Sequence, residues 1–221
     1  MNIIGEKIKK YATIVFDCDG VILNSNKVKT QAFYQAALPY GESEAQALVD
    51  FHVANGGVSR YKKFNYFSSE ILASPLPSNE IEILLSRYAE YVRDGLLECD
   101  IAEDLEHLRT QTNSRWLIVS GGDQSELREV FKVRGLAHWF DGGIFGSPDT
   151  KDEILNREQS NGNILKPSLF VGDSKYDYQA STAADMDFIF LSGWSEVKEW
   201  DRWCQSNSIA RYESIKSLIG N

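Results

Sequence analysis

The sequence predicts an α/β fold, a doubly wound parallel sheet carrying an inserted all-helical domain, and three observations lead there. Short apolar, β-branched or aromatic runs recur at Thr13–Phe16, Trp116–Val119, Gly143–Phe145, Leu169–Val171 and Phe188–Leu191, each of strand length. Most of the later intervals hold segments of helical period, such as Glu126–Phe131 running to Gly135 and Asp152–Gln159 running to Gly162, with a glycine placed to end each helix. Apolar strands alternating with helices imply a sheet covered on both faces, which receives ligands at the carboxyl ends of its strands. The first interval is out of proportion to the rest. Residues 24–105 hold helical patterns at Val28–Leu38, Glu42–Val53 and Asn79–Arg93 and no good strand, whereas a crossover needs only about a dozen residues. The chain therefore divides into a core, residues 1–23 and 106–221, and a helical domain, residues 24–105, hinged near Asn24–Lys27 and Glu98–Ala102. Pro75 and Pro77 mark a loop inside that domain.

Bulk composition narrows the class. The 221 residues are 43% hydrophobic and 25% charged, ordinary values for a globular chain. No apolar run approaches membrane-spanning length, and Met1–Lys10 lacks the apolar stretch of a secretion signal. A net charge of −9 disfavours nucleic-acid backbones and anionic membranes as partners. The cysteines Cys18, Cys99 and Cys204 have no paired spacing, which fits a reducing cytoplasm better than a disulfide scaffold. Cys18 lies between two acids that would raise its pKa, and reads as a small buried side chain.

The chemistry lies in the residues just beyond each strand, because the strand ends converge. The first strand closes on Asp17-Cys18-Asp19-Gly20. Carboxylates two residues apart on an extended segment point to one side, and the glycine lets the backbone turn and approach whatever they hold. Such a pair packs poorly unless a cation relieves its repulsion. After the second strand, Ser120-Gly121-Gly122-Asp123 offers a hydroxyl and bare amides at a helix start, an anion site, with Asp123 also suited to be the N-cap. After the third comes Lys151, whose charge at a helix start opposes the macrodipole and calls for an acidic or anionic partner. After the fourth, Gly172-Asp173-Ser174-Lys175-Tyr176-Asp177 places two acids on one helix face. Together these acids suit a hard cation with oxygen ligands, Mg²⁺.

Read in order, Asp17–Val21, Trp116–Ser120, Lys151 and Gly172–Asp177 resemble the motifs of the haloacid dehalogenase-like hydrolase superfamily. The helical insertion falls after the first motif, as in the subgroup containing phosphoglycolate phosphatases and β-phosphoglucomutases. The resemblance implies a Rossmann-like core with a cap domain, and a Mg²⁺-dependent phosphatase of small phosphomonoesters, sugar phosphates or phosphorylated acids. It further implies that Asp17 is the nucleophile that forms an aspartyl-phosphate and Asp19 the acid and base. Mg²⁺ would be held by Asp17, Asp19 through its carbonyl, and Asp173, with Asp177 either beside the ion or orienting Lys151. Ser120, Lys151 and the backbone of Gly20, Gly121 and Gly122 would receive the phosphoryl oxygens. A second acid in the first motif favours phosphate esters over the family's dehalogenase and phosphonatase branches.

In the insertion, Gly57-Val58-Ser59-Arg60 resembles the tract with which β-phosphoglucomutases hold the phosphate that is not transferred. Arg60 would then grip a second anionic group of the substrate. Otherwise the segment is the first turn of a helix with its cations in solvent. The mutases carry a histidine where this chain has Lys29, which weighs against a mutase. Phe51, Tyr61, Phe64, Tyr66 and Phe67 read as cap core, and His52, His107 and His138 as structural. The expected partner is a small phosphate ester, with no nucleic acid or membrane, and the expected state a monomer or homodimer. An intramolecular phosphomutase, a non-catalytic phosphate-binding protein and a receiver-like switch are the rival functions.

Overall fold

The computed structural model describes residues 8–219. Six parallel strands, β1 (Thr13–Phe16), β2 (Arg115–Asp123), β3 (Gly143–Ser147), β4 (Ser168–Gly172), β5 (Asp187–Leu191) and β6 (Ala210–Tyr212), lie in the order β3-β2-β1-β4-β5-β6. The order reverses between β1 and β4, which leaves a crevice at their carboxyl ends, the point where such sheets bind ligands. Core helices are α5 (Leu105–Gln111), α6 (Gln124–Val133), α7 (Lys151–Ser160), α8 (Lys175–Ala183), α9 (Trp200–Ser206) and α10 (Ile215–Ile219).

The period of two along each strand sorts its side chains between the faces. Ile14, Phe16, Trp116, Ile118, Leu169 and Val171 join one apolar cluster, whereas Val15, Leu117, Val119 and Phe170 join another with Ile154 and Leu155 of α7. This double burial is why the strands read as unbroken apolar runs.

Between β1 and α5 stand α1 (Asn26–Ala37), α2 (Glu42–Ala54), α3 (Arg60–Tyr66), whose end widens to a π turn at Phe67–Ile71, and α4 (Ser78–Glu98). They pack on Phe33, Leu48, Phe64, Phe67, Leu84, Tyr88 and Val92, all buried. The two chain segments leading into and out of this layer are tied together. Leu23 bridges Ile101 in antiparallel sense, the Asn24 N–H donates to the Asp100 carbonyl, and the Ala102 N–H to the Ile22 carbonyl, each at 2.9 Å.

Two differences from the sequence expectation have local causes. Strand β2 runs on through Ser120–Asp123 instead of ending in a loop, and its register against β3 shifts between Val119 and Asp123. The extension is held by the Ser147 hydroxyl, which donates to the Gly121 carbonyl at 3.1 Å, not by propensity. Strand β6 has no counterpart in the sequence expectation because Ala-Arg-Tyr has no apolar run; its pairing with Ile189–Leu191 makes it a strand. Among the described residues no helix is long and apolar enough to cross a membrane, and all three cysteines are free, with Cys18 and Cys204 buried.

Candidate active site

Strand β1 hands its last amide onward in register, the Asp17 N–H donating to the Val171 carbonyl at 2.9 Å. The chain then turns. The amides of Ile22 and Leu23 donate to the Cys18 carbonyl, each at 2.9 Å, and Gly20 takes φ +74°, a left-handed conformation that costs glycine little. A Cβ there would lie 2.0 Å from Asp173 Oδ2, so only glycine lets the first turn close against the Asp173 carboxylate.

Asp173 follows β4 and precedes α8. Its Oδ2 accepts from Asn26 Nδ2 at 2.7 Å, and the same amide nitrogen donates to the Trp194 carbonyl. In the first turn of α8, Asp177 Oδ2 accepts from the amides of Asp173 and Ser174 and from the Ser174 hydroxyl, while Oδ1 takes the ammonium of Lys151. Lys151 opens α7, where its charge opposes the helix dipole. The opposition is met by two acids, Asp177 and, at 3.0 Å, Asp17 Oδ2. Carboxylate oxygens of Asp17, Asp173 and Asp177 lie within 4.8 Å of one another, all three buried.

Burial sets the electrostatics. It pushes Asp17 up to about 7; Lys151 opposes the shift, and Asp177 and Asp19 add to it. Burial, with Asp17 and Asp177 beside it, raises Asp173 well above the carboxylate range. Burial works against the Lys151 charge as well, but Asp17 and Asp177 outweigh it and raise its pKa. At Asp19 burial would raise the carboxyl, yet Lys29 Nζ at 2.5 Å and the Ser25 hydroxyl at 2.6 Å outweigh it and hold it low. Two buried carboxyls pushed toward protonation beside an Asp19 held ionised is the state a divalent cation would relieve. The donor set fits such an ion at Asp17 and Asp173. Asp177 already spends both oxygens on Lys151 and the α8 N-terminus.

Ser120 is fully buried and its hydroxyl accepts from the Gly122 N–H at 3.0 Å; Gly121 and Gly122 line the cavity beside Asp17, Asp19 and Asp173. Asp123 caps α6, accepting from the amides of Ser125 and Glu126. Cys18 is buried and held as a thiol, burial first and then Asp19 raising its pKa.

The cap closes the other side of this cavity, whose volume is about 50 Å³. Gly57, at φ +80°, brings its carbonyl within 2.2 Å of where a Gly121 Cβ would stand. Lys29 of α1, His52 of α2, Arg60 and Lys63 of α3 and Tyr88 of α4 complete the wall. The Arg60 guanidinium sits over the Tyr88 ring at 4.5 Å and forks onto Glu126 of α6, its Nη1 donating at 3.1 Å. Next to it the Tyr61 hydroxyl donates to Asp123 Oδ2 at 2.8 Å. Lys63 Nζ meets His52 Nδ1 at 2.6 Å.

Asp17, Asp19, Gly121, Gly122 and Asp173 thus meet around one cavity, with Lys151, Asp177 and Ser120 packed behind it, and Arg60 reaches it with its fork already on Glu126. Gly20 stays outside the cavity lining, in the turn that closes against Asp173. Sequence reasoning missed Asn26, Lys29, His52 and Lys63 as members of the site. The expectation that the α3 cations stand in solvent fails for Arg60 and Lys63, which are buried, and holds for Lys62. His52 lines the cavity, whereas His107 and His138 are exposed. A signal was present for Lys63: Arg60, Lys63, Phe64 and Phe67 recur at helical spacing on one face. Of the expected cap aromatics, Phe64 and Phe67 are buried, Phe51 and Tyr66 stack on each other at 3.7 Å, and Tyr61 serves the cap–core contact.

Solved structures that match over nearly the whole chain include a Clostridium acetobutylicum protein to which phosphatase activity is ascribed. It has TM-score 0.73 and 15% identity, covering 95% of this chain and 96% of that one. A haloacid dehalogenase-like family protein from Streptococcus pneumoniae has TM-score 0.65 and 19% identity, with 95% and 97% covered. A Lactobacillus plantarum protein to which phosphoglycolate phosphatase activity is ascribed has TM-score 0.69 and 19% identity, with 95% and 99% covered. At such identities these likenesses establish the fold. A search of curated proteins returned no significant match. The family model for haloacid dehalogenase-like hydrolases matches residues 14–191, from β1 to the end of β5 and through every strand end that lines the cavity, and the chain belongs to that family.

Proposed function

We propose that the protein is a Mg²⁺-dependent phosphatase that hydrolyses a small phosphomonoester through an aspartyl-phosphate. The observation that carries this reading is the placement of Asp17, which has a buried ammonium on one oxygen and the Asp173 carboxylate facing it across the cavity. Lys151 on Oδ2 and the Cys18 N–H, which donates to Oδ1 at 2.7 Å, together fix the Asp17 carboxylate for in-line attack on phosphorus through a remaining lone pair. Asp177, locked by its capping contacts, orients Lys151 in turn. Asp19 lies on the same cavity and exchanges the proton, protonating the leaving alcohol and later taking a proton from water. In the free enzyme Lys29 keeps it ionised, so the proton it gives to the leaving alcohol is one taken from the ester as the monoanion binds, and the carboxylate left behind then receives the proton of the attacking water. The amide of Gly121, with Ser120 and Lys151 behind it, stabilises the phosphoryl oxygens as charge shifts onto them, whereas the Gly20 and Gly122 amides already donate to the Leu23 carbonyl and the Ser120 hydroxyl. A Mg²⁺ ion at Asp17 and Asp173 would supply charge neutralisation for a dianionic ester approaching an anionic nucleophile.

In this reading residues 24–105 form a cap over a core of residues 1–23 and 106–221, and closure of Gly57 on Gly121 excludes water from the phosphoryl group. The free cysteines and the acidic surface accord with a cytoplasmic enzyme acting on a soluble metabolite. Release of inorganic phosphate from a panel of esters in the presence of Mg²⁺ tests the reading. Activity that survives excess EDTA would refute the metal, and no release from any ester would refute the phosphatase.

A further inference from the structure

Three buried cations stand on the cap wall, and they differ in what neutralises them. Lys29 pairs with Asp19, and Arg60 pairs with Glu126. Lys63, only 2% exposed, has no carboxylate within 4.0 Å among the described residues, and its one polar partner there is His52 Nδ1. Glu196 lines the same cavity but accepts from the Thr30 hydroxyl and stays outside ion-pair distance of Lys63. His52 is 8% exposed, and its Nε2 has no hydrogen-bond partner. Once Lys63 carries its proton, Nδ1 must accept from it, and the imidazole proton sits on Nε2 as a second buried donor without an acceptor.

A structural role accounts poorly for this pair. The Phe33 ring lies 5.4 Å from Lys63 Nζ, and a cation–π contact offsets at most about 2 kcal/mol. Leaving a buried ammonium without a counter-ion costs more than such a contact returns. Phe33 lies against the position and shares the cavity wall with Tyr88, so an apolar side chain of the same length would meet apolar neighbours there. The site lacks an anion, and Lys63 and His52 both line the cavity that would supply one.

We propose that Lys63 and His52 bind an anionic group on the substrate's leaving alcohol, so that the preferred esters carry a carboxylate or a second phosphate beside the transferred phosphoryl group. The inference rests on the phosphatase reading and names its substrate class. It also sets a size. A cavity of about 50 Å³ holds only a few water-sized groups, at about 10–15 Å³ each, which favours a short spacer between the two anions. Arg60 is already satisfied by Glu126; Lys63 is the cation left to recognise the ligand.

The test compares three esters with the same two-carbon spacer in the presence of Mg²⁺: phosphoglycolate, ethylene glycol bisphosphate and hydroxyethyl phosphate. The wild-type enzyme should favour one or both anionic members over the neutral one by about tenfold or more in kcat/KM, and which member leads assigns carboxylate or phosphate. In Lys63→Met the preference for the anionic esters over hydroxyethyl phosphate should fall by about 10- to 100-fold, carried by KM, and a preference kept at the wild-type level overturns the role of Lys63. As a measurement independent of any variant, free glycolate should inhibit the wild-type enzyme at about tenfold lower concentration than ethylene glycol. Equal turnover of all three esters, or equal inhibition by the two alcohols, overturns the inference while leaving the phosphatase intact. Absence of phosphate release from every ester overturns the phosphatase reading itself.

Discussion

On the core side of the cavity every functional group hangs from a strand end; on the cap side none does. Asp17, Lys151 and Asp173 follow the ends of β1, β3 and β4, and Gly121 lies in the last residues of β2. The parallel registers of Thr13–Phe16 with Arg115–Ile118 and with Ser168–Val171 fix their spacing. Lys29, His52, Arg60 and Lys63 come from three helices with an apolar core of their own around Phe33, Phe64 and Tyr88. The charges divide the same way. Acids line the core wall, with Lys151 as their inner counter-charge, and the cations Lys29, Arg60 and Lys63 line the cap wall. The difference teaches how such a molecule separates two tasks. The reaction depends on distances the sheet sets, whereas recognition depends on helix faces that can change without disturbing the sheet.

The sharpest way to break this division is at the core wall. Asp17→Asn keeps the shape and removes the proposed nucleophile, so phosphate release should fall by about 10⁴-fold or more while the circular dichroism spectrum is retained. A loss of only a few-fold would mean that Asp17 holds the ligand and another group attacks, and the two walls would then share the chemistry.

Legibility in the chain divides along the same line. Asp17, Asp19, Lys151, Asp173 and Asp177 were legible because each lies next to an apolar run that must be a strand, and parallel strands must bring their ends together. Four of the five strands read from the chain closed within a residue or two of the runs that marked them; β2 ran further because Ser147 of β3 holds Gly121 by a contact between strands that no local pattern encodes. The partners of the acids were less legible. Asn26 reaches Asp173 across 147 positions of sequence, and nothing near either residue announces the pairing. The cap wall was least legible. A helix shows its apolar stripe but not which neighbour covers it, so Lys63 and Arg60 looked like solvent-facing cations until α1, α2 and α4 were packed around them. His52, isolated from any metal-ligand spacing, gave no signal at all.

The next effect is on stability, and it runs opposite to the effect on substrate choice. Burial first, and then the neighbouring Lys29 charge, holds Lys63 down to about 7 from its ordinary 10.5. At pH above the ordinary value, lysine is neutral in both folded and unfolded chains. As pH falls toward 7, the unfolded chain takes up a proton that the folded one refuses, so the wild-type protein loses stability across that window and levels off below it. Lys63→Met has no such proton to exchange. Its advantage over wild type should therefore grow from almost nothing at about pH 10 to about 2–4 kcal/mol at about pH 7, read from urea midpoints of the unliganded proteins. Parallel pH curves for the two proteins would remove the claim that the cap wall stores an uncompensated charge.

The smallest effect decides what Arg60 does. As a grip on a substrate anion, Arg60 would be needed whatever becomes of Glu126. The structure has its fork on Glu126 and its plane on Tyr88, an arrangement that ties the cap helix α3 to the core helix α6, with Arg93 and Glu129 adding an exposed ion pair at 3.6 Å. As a clamp, it should be interchangeable with its partner. Arg60→Lys and Glu126→Gln should then each lower kcat/KM on hydroxyethyl phosphate about three- to tenfold, and the double variant should be no worse than either, a coupling of about 1 kcal/mol. If instead Glu126→Gln is near wild type and Arg60→Lys alone is impaired, and more so on the anionic esters, the guanidinium meets the ligand. A neutral ester is the right probe because it makes no demand on Lys63, so a loss there reports closure of the cap and not recognition by it.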